Sequence, residues 1–186
     1  MSRVVTRTYK DPLDTVWIEV ARRVGYEVRR SDTCFASIAP DGRMILGAAE
    51  TLDADDCLAQ MIFHELCHSL VQGPAGHGVL DWGLDNETAR DVPREHATLR
   101  VQATLAAELG LRAVLAPTTD FRVFYDALPD DALAGDPIEV ELAHAALKRA
   151  DEAPWGPHLR AGLAATRQIV NAVAPFTDAT ALLSRE

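Results

Sequence analysis

Apolar residues at Leu13, Val16, Trp17, Val20, Ala21 and Val24 recur at the three- and four-residue spacing of a helix, with polar residues between them. Residues 12–24 are therefore predicted to form an amphipathic helix that buries one stripe. Asp11 stands at the N-cap position, Pro12 at the first helical position and Gly25 just past the end, which are helix start and stop signals. The period then shortens. Residues 26–30, 34–38 and 43–47 read as strands, and Pro40-Asp41-Gly42 between the last two reads as a turn, because proline presets one dihedral and glycine tolerates a positive one. A small antiparallel sheet of two or three strands is expected. Residues 1–10, with only Val4, Val5 and Tyr9 among polar neighbours, form a tail or an edge strand.

The following segment is apolar around most of its circumference, with Leu58, Met61, Ile62, Phe63, Leu66 and Leu70. It is predicted to be a helix capped by Asp53, with Asp55 and Asp56 in its first turn, and to stop at Gly73-Pro74. A helix that apolar is central and buried, so the His64, Glu65 and His68 it carries are costly without a metal or other partners. These residues spell HExxH. Residues four apart lie one above the other on a helix, so both imidazoles can point at one metal ion while Glu65 sits beside them. Neutral imidazole suits Zn²⁺, and a catalytic zinc site keeps three protein ligands and one position for water, whose pKa the metal lowers to about 7. Glu65, which is not a ligand, is placed to take that proton and pass it to a leaving group. Cys67, inside the motif, leans away from the shared face and reads as a small buried residue.

The third ligand sets the class. A metzincin would place glycine and histidine where Val71 and Pro74 stand. Downstream, Glu87 follows His68 after eighteen intervening residues, within Gly83-Leu84-Asp85-Asn86-Glu87-Thr88-Ala89-Arg90-Asp91. This resembles the gluzincin zinc metallopeptidases, whose third ligand is a glutamate on the next helix, often preceded by asparagine as Asn86 precedes Glu87. The likeness covers about residues 53–92. It implies a zincin-like core, a bound zinc ion, a peptide or protein substrate, and an Asp91 that orients His64, in line with the general need to hold a ligating imidazole's other nitrogen. It also implies that an edge strand, here residues 44–49, aligns the substrate backbone by strand addition. Gly47-Ala48-Ala49-Glu50 is similar to the aminopeptidase exopeptidase motif but lies too near His64 and lacks the asparagine, so Glu50 reads as a loop acid. The compact plan also looks like that of intracellular regulatory peptidases that cut repressors. Glu95 and His96 are the fallback ligands, with helix packing as their other role, and His77 in the loop 73–83 is a further alternative. Trp82 either walls the site or anchors that loop in the core.

Glu87 is assigned to a short helix over residues 84–92, and Pro93 opens another to Leu109, with Gly110 as its stop. Thr118-Thr119-Asp120 caps a short helix through Leu128, Asp136-Pro137 starts one to about Ala150, and Pro157 opens the last, to about Val173. The fold class is thus α+β and mostly helical, with a small sheet, a central HExxH helix and a helical C-terminal half. The chain reads as one domain over 1–186, with an N-terminal lobe of about 1–72 and a helical lobe of about 84–186. Peptide hydrolysis usually needs a Tyr or His donor to share the oxyanion with zinc. The gluzincin resemblance implies that this donor comes from the region after the glutamate helix, where Tyr125, His144 and His158 are available, and His158 is preferred because Trp155-Gly156-Pro157-His158 places it at a helix start.

Composition narrows the partners. With 186 residues, 48% hydrophobic and 25% charged, and a net charge of −10, the chain is globular in type and has no basic cluster for nucleic acid or an anionic membrane. Three cysteines without a CxxC pair argue against a disulfide framework, and no signal peptide or apolar run of spanning length is present, so a cytoplasmic protein is expected. Three functions remain open: a zinc peptidase, a zinc hydrolase acting on a non-peptide amide or ester, and a catalytically inert module braced by zinc.

Overall fold

The computed structural model describes residues 4–85, 88–117 and 120–184. Residues 4–10 form no element and are exposed. Helix α1 (Pro12–Arg23) begins as its sequence dictates: Asp11 Oδ1 accepts hydrogen bonds from the N–H groups of Leu13, at 2.8 Å, and Asp14, at 3.1 Å. Its buried stripe is Leu13, Trp17, Val20 and Ala21, and the Trp17 indole donates to Thr166 Oγ1 at 3.0 Å.

Strands β1 (Glu27–Ser31), β2 (Ala36–Ile38) and β3 (Arg43–Gly47) form one sheet in the order β1-β3-β2. β2 and β3 are antiparallel, but β1 runs parallel to β3, with Glu27 opposite Arg43 and Ser31 opposite Gly47. The sheet is therefore mixed, not antiparallel. The strand order fits the side chains: Met44 and Leu46 of the central β3 are fully buried, whereas β1 is the polar run EVRRS and suits an edge. Segment 44–49 is consequently not an edge strand, since β3 is paired on both sides. The outer edge near the site belongs to β2.

Helix α2 (Leu58–Gln72) buries every residue from Leu58 to Val71, and each fully buried Leu, Ile or Phe contributes about 1.5–3 kcal/mol. It starts later than Asp53. Cys57 is the N-cap, its N–H donating to Gln60 Oε1 at 2.7 Å, while Asp53–Asp56 close a turn in which the Asp53 N–H donates to Asp56 Oδ2 at 3.1 Å. Asp53 and Asp55 stay exposed there, which a start at Asp53 on so buried a helix would deny them. Gly73, with φ +61, ends the helix in a conformation that costs a side-chain-bearing residue more.

Among the described residues of 84–92 the expected helix is not formed. Leu84 is extended, and a 3-10 turn at Ala89–Asp91 leads into α3 (Val92–Ala107), with Pro93 in its first turn. Helices α4 (Arg122–Asp126), α5 (Pro137–Asp151) and α6 (Trp155–Val173) complete the helical half. Thr118 and Thr119 lie outside the described residues. α2 is the hub: α1, α3, α5 and β3 all pack against it. The architecture is α+β and mostly helical. Among the described residues no helix is long and apolar enough to cross a membrane.

Candidate metal centre

Two turns of α2 and the first turn of α3 bring three side chains together. His64 Nε2 and His68 Nε2 are 3.1 Å apart, and Glu95 turns Oε1 to His64 at 3.4 Å and Oε2 to His68 at 3.2 Å. All three are largely shielded, their side chains 8, 7 and 14% exposed. These separations match the roughly 3.3 Å edge of a tetrahedron with bonds of about 2.0–2.1 Å to a central ion.

The neighbouring hydrogen bonds decide which nitrogens are bare. Gln102 Nε2 donates to the Leu115 carbonyl at 2.7 Å, so its Oε1 must face His64 Nδ1, 2.8 Å away, and Nδ1 must carry the hydrogen. The Thr98 hydroxyl donates to the Arg94 carbonyl at 3.0 Å and therefore accepts from His68 Nδ1 at 3.2 Å. Both neutral imidazoles thus present Nε2 lone pairs to each other across 3.1 Å, beside a carboxylate. That arrangement repels unless a cation sits among them, so His64, His68 and Glu95 form a group that could hold a metal ion.

Without a metal, a proton takes that place. Burial opposes charge on His64, but the hydrogen bond and charge of Glu95 outweigh it and raise His64 to about 9. Burial likewise opposes charge on Glu95, yet the two histidines hold it down to about 2. His68 is lowered, first by burial, with the Glu95 charge opposing and His64 adding to it.

Glu65 lies beside the group, 8% exposed, and its Oε2 accepts a hydrogen bond from the Trp82 indole at 3.1 Å. The histidines, Glu65 and Glu95 open onto a cleft of about 320 Å³ walled by Phe35, Trp82 and Phe121. Glu65, Asp81, Asp85, Asp91, Glu95 and Asp120 line it, with no Lys or Arg among the described lining residues. Such a cleft concentrates cations.

The sequence-derived site is partly assembled. His64, Glu65 and His68 stand together as the HExxH spacing requires. Glu87 lies outside the described residues, and the carboxylate in the group is Glu95, the fallback ligand. Asp91 does not orient His64; it accepts from Arg90 Nε at 2.9 Å and from the Asp85 N–H at 2.8 Å, because α3 begins after it. Gln102 performs that service instead. Glu95, Thr98 and Gln102 stand at i, i+3 and i+7 on α3, a polar stripe on a helix whose neighbours Ala97, Leu99 and Val101 are buried. That stripe is the signal in the sequence that could have located them.

The other candidates point elsewhere. His96 Nδ1 meets Glu139 Oε1 at 2.6 Å and its ring stacks on Phe124. His77 Nε2 meets Ser69 Oγ at 3.0 Å. Tyr125 is buried, which raises its phenol, and its hydroxyl donates to the Arg112 carbonyl. His144 is exposed on α5, and His158 is half-buried on α6, which packs on α1 and α5. None of these three lines the cleft. Cys67 is fully buried, and burial pushes its thiol well up.

Gln102→Leu tests the support of the group. It leaves His64 Nδ1 and the Leu115 carbonyl buried and unpaired, at about 1–3 kcal/mol each, and is expected to weaken metal binding by roughly 10–100-fold. Thermal melts and chelator competition read the two effects separately.

Searches against protein-family models, curated proteins and solved structures find no match. What fold and site define is an α+β protein with a buried two-histidine, one-carboxylate group able to hold a metal ion.

Proposed function

We propose that this protein is a zinc-dependent hydrolase, a compact metallopeptidase of zincin-like fold. The observation that carries this reading is the pair of bare Nε2 atoms facing each other beside Glu95, with Glu65 held at the same cleft. The two-nitrogen, one-oxygen donor set, at tetrahedral edge lengths, suits zinc with one position left for solvent. His64, His68, Glu95 and Glu65 together resemble the gluzincin arrangement, the glutamate coming after 26 intervening residues instead of eighteen.

When bound, zinc supplies Lewis acidity and lowers the pKa of water to about 7. The chain supplies the rest. Glu65 takes the proton of the attacking water and returns it to the leaving amine. The edge of β2 offers a peptide its alignment. The Gly47 N–H bonds the Phe35 carbonyl and the Ala39 N–H bonds the Arg43 carbonyl, so Ala36 and Ile38 turn their own N–H and C=O groups outward. Asp81 Oδ1 takes the Ile38 N–H at 2.9 Å, which leaves Ala36, beside the cleft, for strand addition. Three cysteines without a disulfide support a reducing, cytoplasmic setting.

A second reading has its own support. None of Tyr125, His144 and His158, the donors that the sequence offered to share an oxyanion with zinc, lines the cleft, and an inert module braced by zinc needs no such donor. A non-peptide amide or ester substrate would use the same water. One experiment separates these. The purified protein is expected to carry about one zinc per chain, and Glu65→Gln to keep it while hydrolysis of a mixed peptide library falls by about 10²–10⁴-fold. A library left uncut by wild-type protein rules out the peptidase.

A further inference from the structure

We infer that Trp82 is a positioning residue for Glu65 and that Asp81 sets it in place by clasping the edge of β2; this rests on the hydrolase reading above. Among the described residues, Asp81 (φ 47) and Trp82 (φ 61) are the only non-glycine residues with positive φ, and they are consecutive. The left-handed region is unfavourable for side-chain-bearing residues, least so for Asp and markedly so for a bulky residue such as Trp. A tryptophan that merely filled the core would not need this backbone, and strain of this kind collects where geometry has a task.

The bonds on either side show what the turn achieves. Asp81 Oδ1 accepts from Ser37 Oγ at 2.8 Å and from the Ile38 N–H at 2.9 Å, fixing the turn to β2. One residue on, the indole ring stands edge-on to Tyr26, with centroids 5.5 Å apart, and its N–H reaches Glu65 Oε2 at 3.1 Å. Among the described residues nothing bonds the other oxygen, Oε1, which leaves that oxygen to exchange the proton while Oε2 is anchored. Two consecutive residues therefore tie the strand that aligns the substrate to the carboxylate that acts on it, and fix the angle between them.

Trp82→Phe keeps an aromatic ring at this position and deletes the N–H donor together with the second ring of the indole. The Asp81 variants below, which leave the indole whole, separate lost positioning from lost volume. Zinc content is expected to stay at the wild-type level. Acetohydroxamic acid, which chelates the metal and hands its hydroxyl proton to a neighbouring carboxylate, is the probe of Glu65 placement, read by calorimetry without turnover. Its affinity is expected to fall about tenfold in Trp82→Phe, as for a lost hydrogen bond to a charged group. The double variant Trp82→Phe/Glu65→Gln should bind it no worse than Glu65→Gln alone. On the peptide library, kcat should fall with KM unchanged.

Asp81→Ala, which releases the clasp, should reproduce these losses, and Asp81→Asn, which keeps Oδ1, should restore them. That pair carries the test if Trp82→Phe does not fold. A Trp82→Phe protein equal to wild type in probe affinity and kcat, or losses that add to those of Glu65→Gln, overturns the inference alone. Wild-type protein that binds no zinc overturns the hydrolase reading and this inference with it.

Discussion

Glu95→Ala is expected to cost the protein its metal, and Glu87→Ala is not. Glu95 is one of three donors whose atoms lie 3.1–3.4 Å apart around a common point. Structural zinc sites with four ligands bind with about 10–16 kcal/mol, so one ligand accounts for roughly 3 kcal/mol, and its loss should weaken binding on the order of 10²–10³-fold. The loss is specific because the histidines keep their own supports: Gln102 still holds His64, and Thr98 still holds His68. Competition with a fluorescent chelator, run on wild type and both variants, reads the difference directly. If Glu87→Ala releases the metal and Glu95→Ala retains it, the nearer glutamate is the ligand, and the group on α2 and α3 is only an internal ion pair.

Zinc uptake should expel about one proton at pH 6, and apparent affinity should rise about tenfold per pH unit between pH 6 and 7. The metal-free group holds its proton at His64, raised to about 9, next to a Glu95 held to about 2, while burial lowers His68. An incoming cation must displace that proton, so acid competes with the metal. Calorimetry in buffers of different ionisation enthalpy counts the protons. The sign for stability follows from the same shift. His64 is raised above its unfolded value of about 6.5, so it stabilises the metal-free fold fully below that value, and the contribution is lost as pH rises through about 9. Metal-free protein should therefore be easier to unfold by urea at pH 9 than at pH 6.5, whereas the zinc-loaded form, with no proton on His64, lacks this trend. Uptake with no proton released, and no pH trend in the metal-free melts, would show that His64 is not protonated in the group.

Elements governed by neighbours in the chain were legible from residues alone. Asp11-Pro12 and the stripe from Leu13 to Val24 placed α1 almost to the residue, Asp136-Pro137 placed the start of α5, and Gly73 and Gly110 marked where α2 and α3 give out. HExxH was equally local, since four residues along a helix suffice to bring His68 under His64. The start of α2 misled because three aspartates after Leu52 imitate a capped first turn, while Cys57 with Gln60 makes the cap. The parallel pairing of β1 with β3 left no trace in the strands' own patterns, because a pattern of buried and polar side chains marks a strand as central or edge and not the direction in which its neighbour runs.

The carboxylate of the centre shows the same division. By itself the sequence determined that a buried helix carries two imidazoles and a carboxylate on neighbouring positions, and that acidic residues follow it. Which of those acids faces the imidazoles was settled by the packing of α3 on α2, which lays the stripe Glu95, Thr98 and Gln102 along His64 and His68 and leaves Asp91 to Arg90. Trp82 met Glu65 for the same reason, through a turn anchored on β2. Helical periodicity and capping act within one or two turns of chain, so the sequence displays them directly; a hydrogen bond between residues 38 positions apart, such as His64 to Gln102, exists only after two helices have chosen the faces they bury.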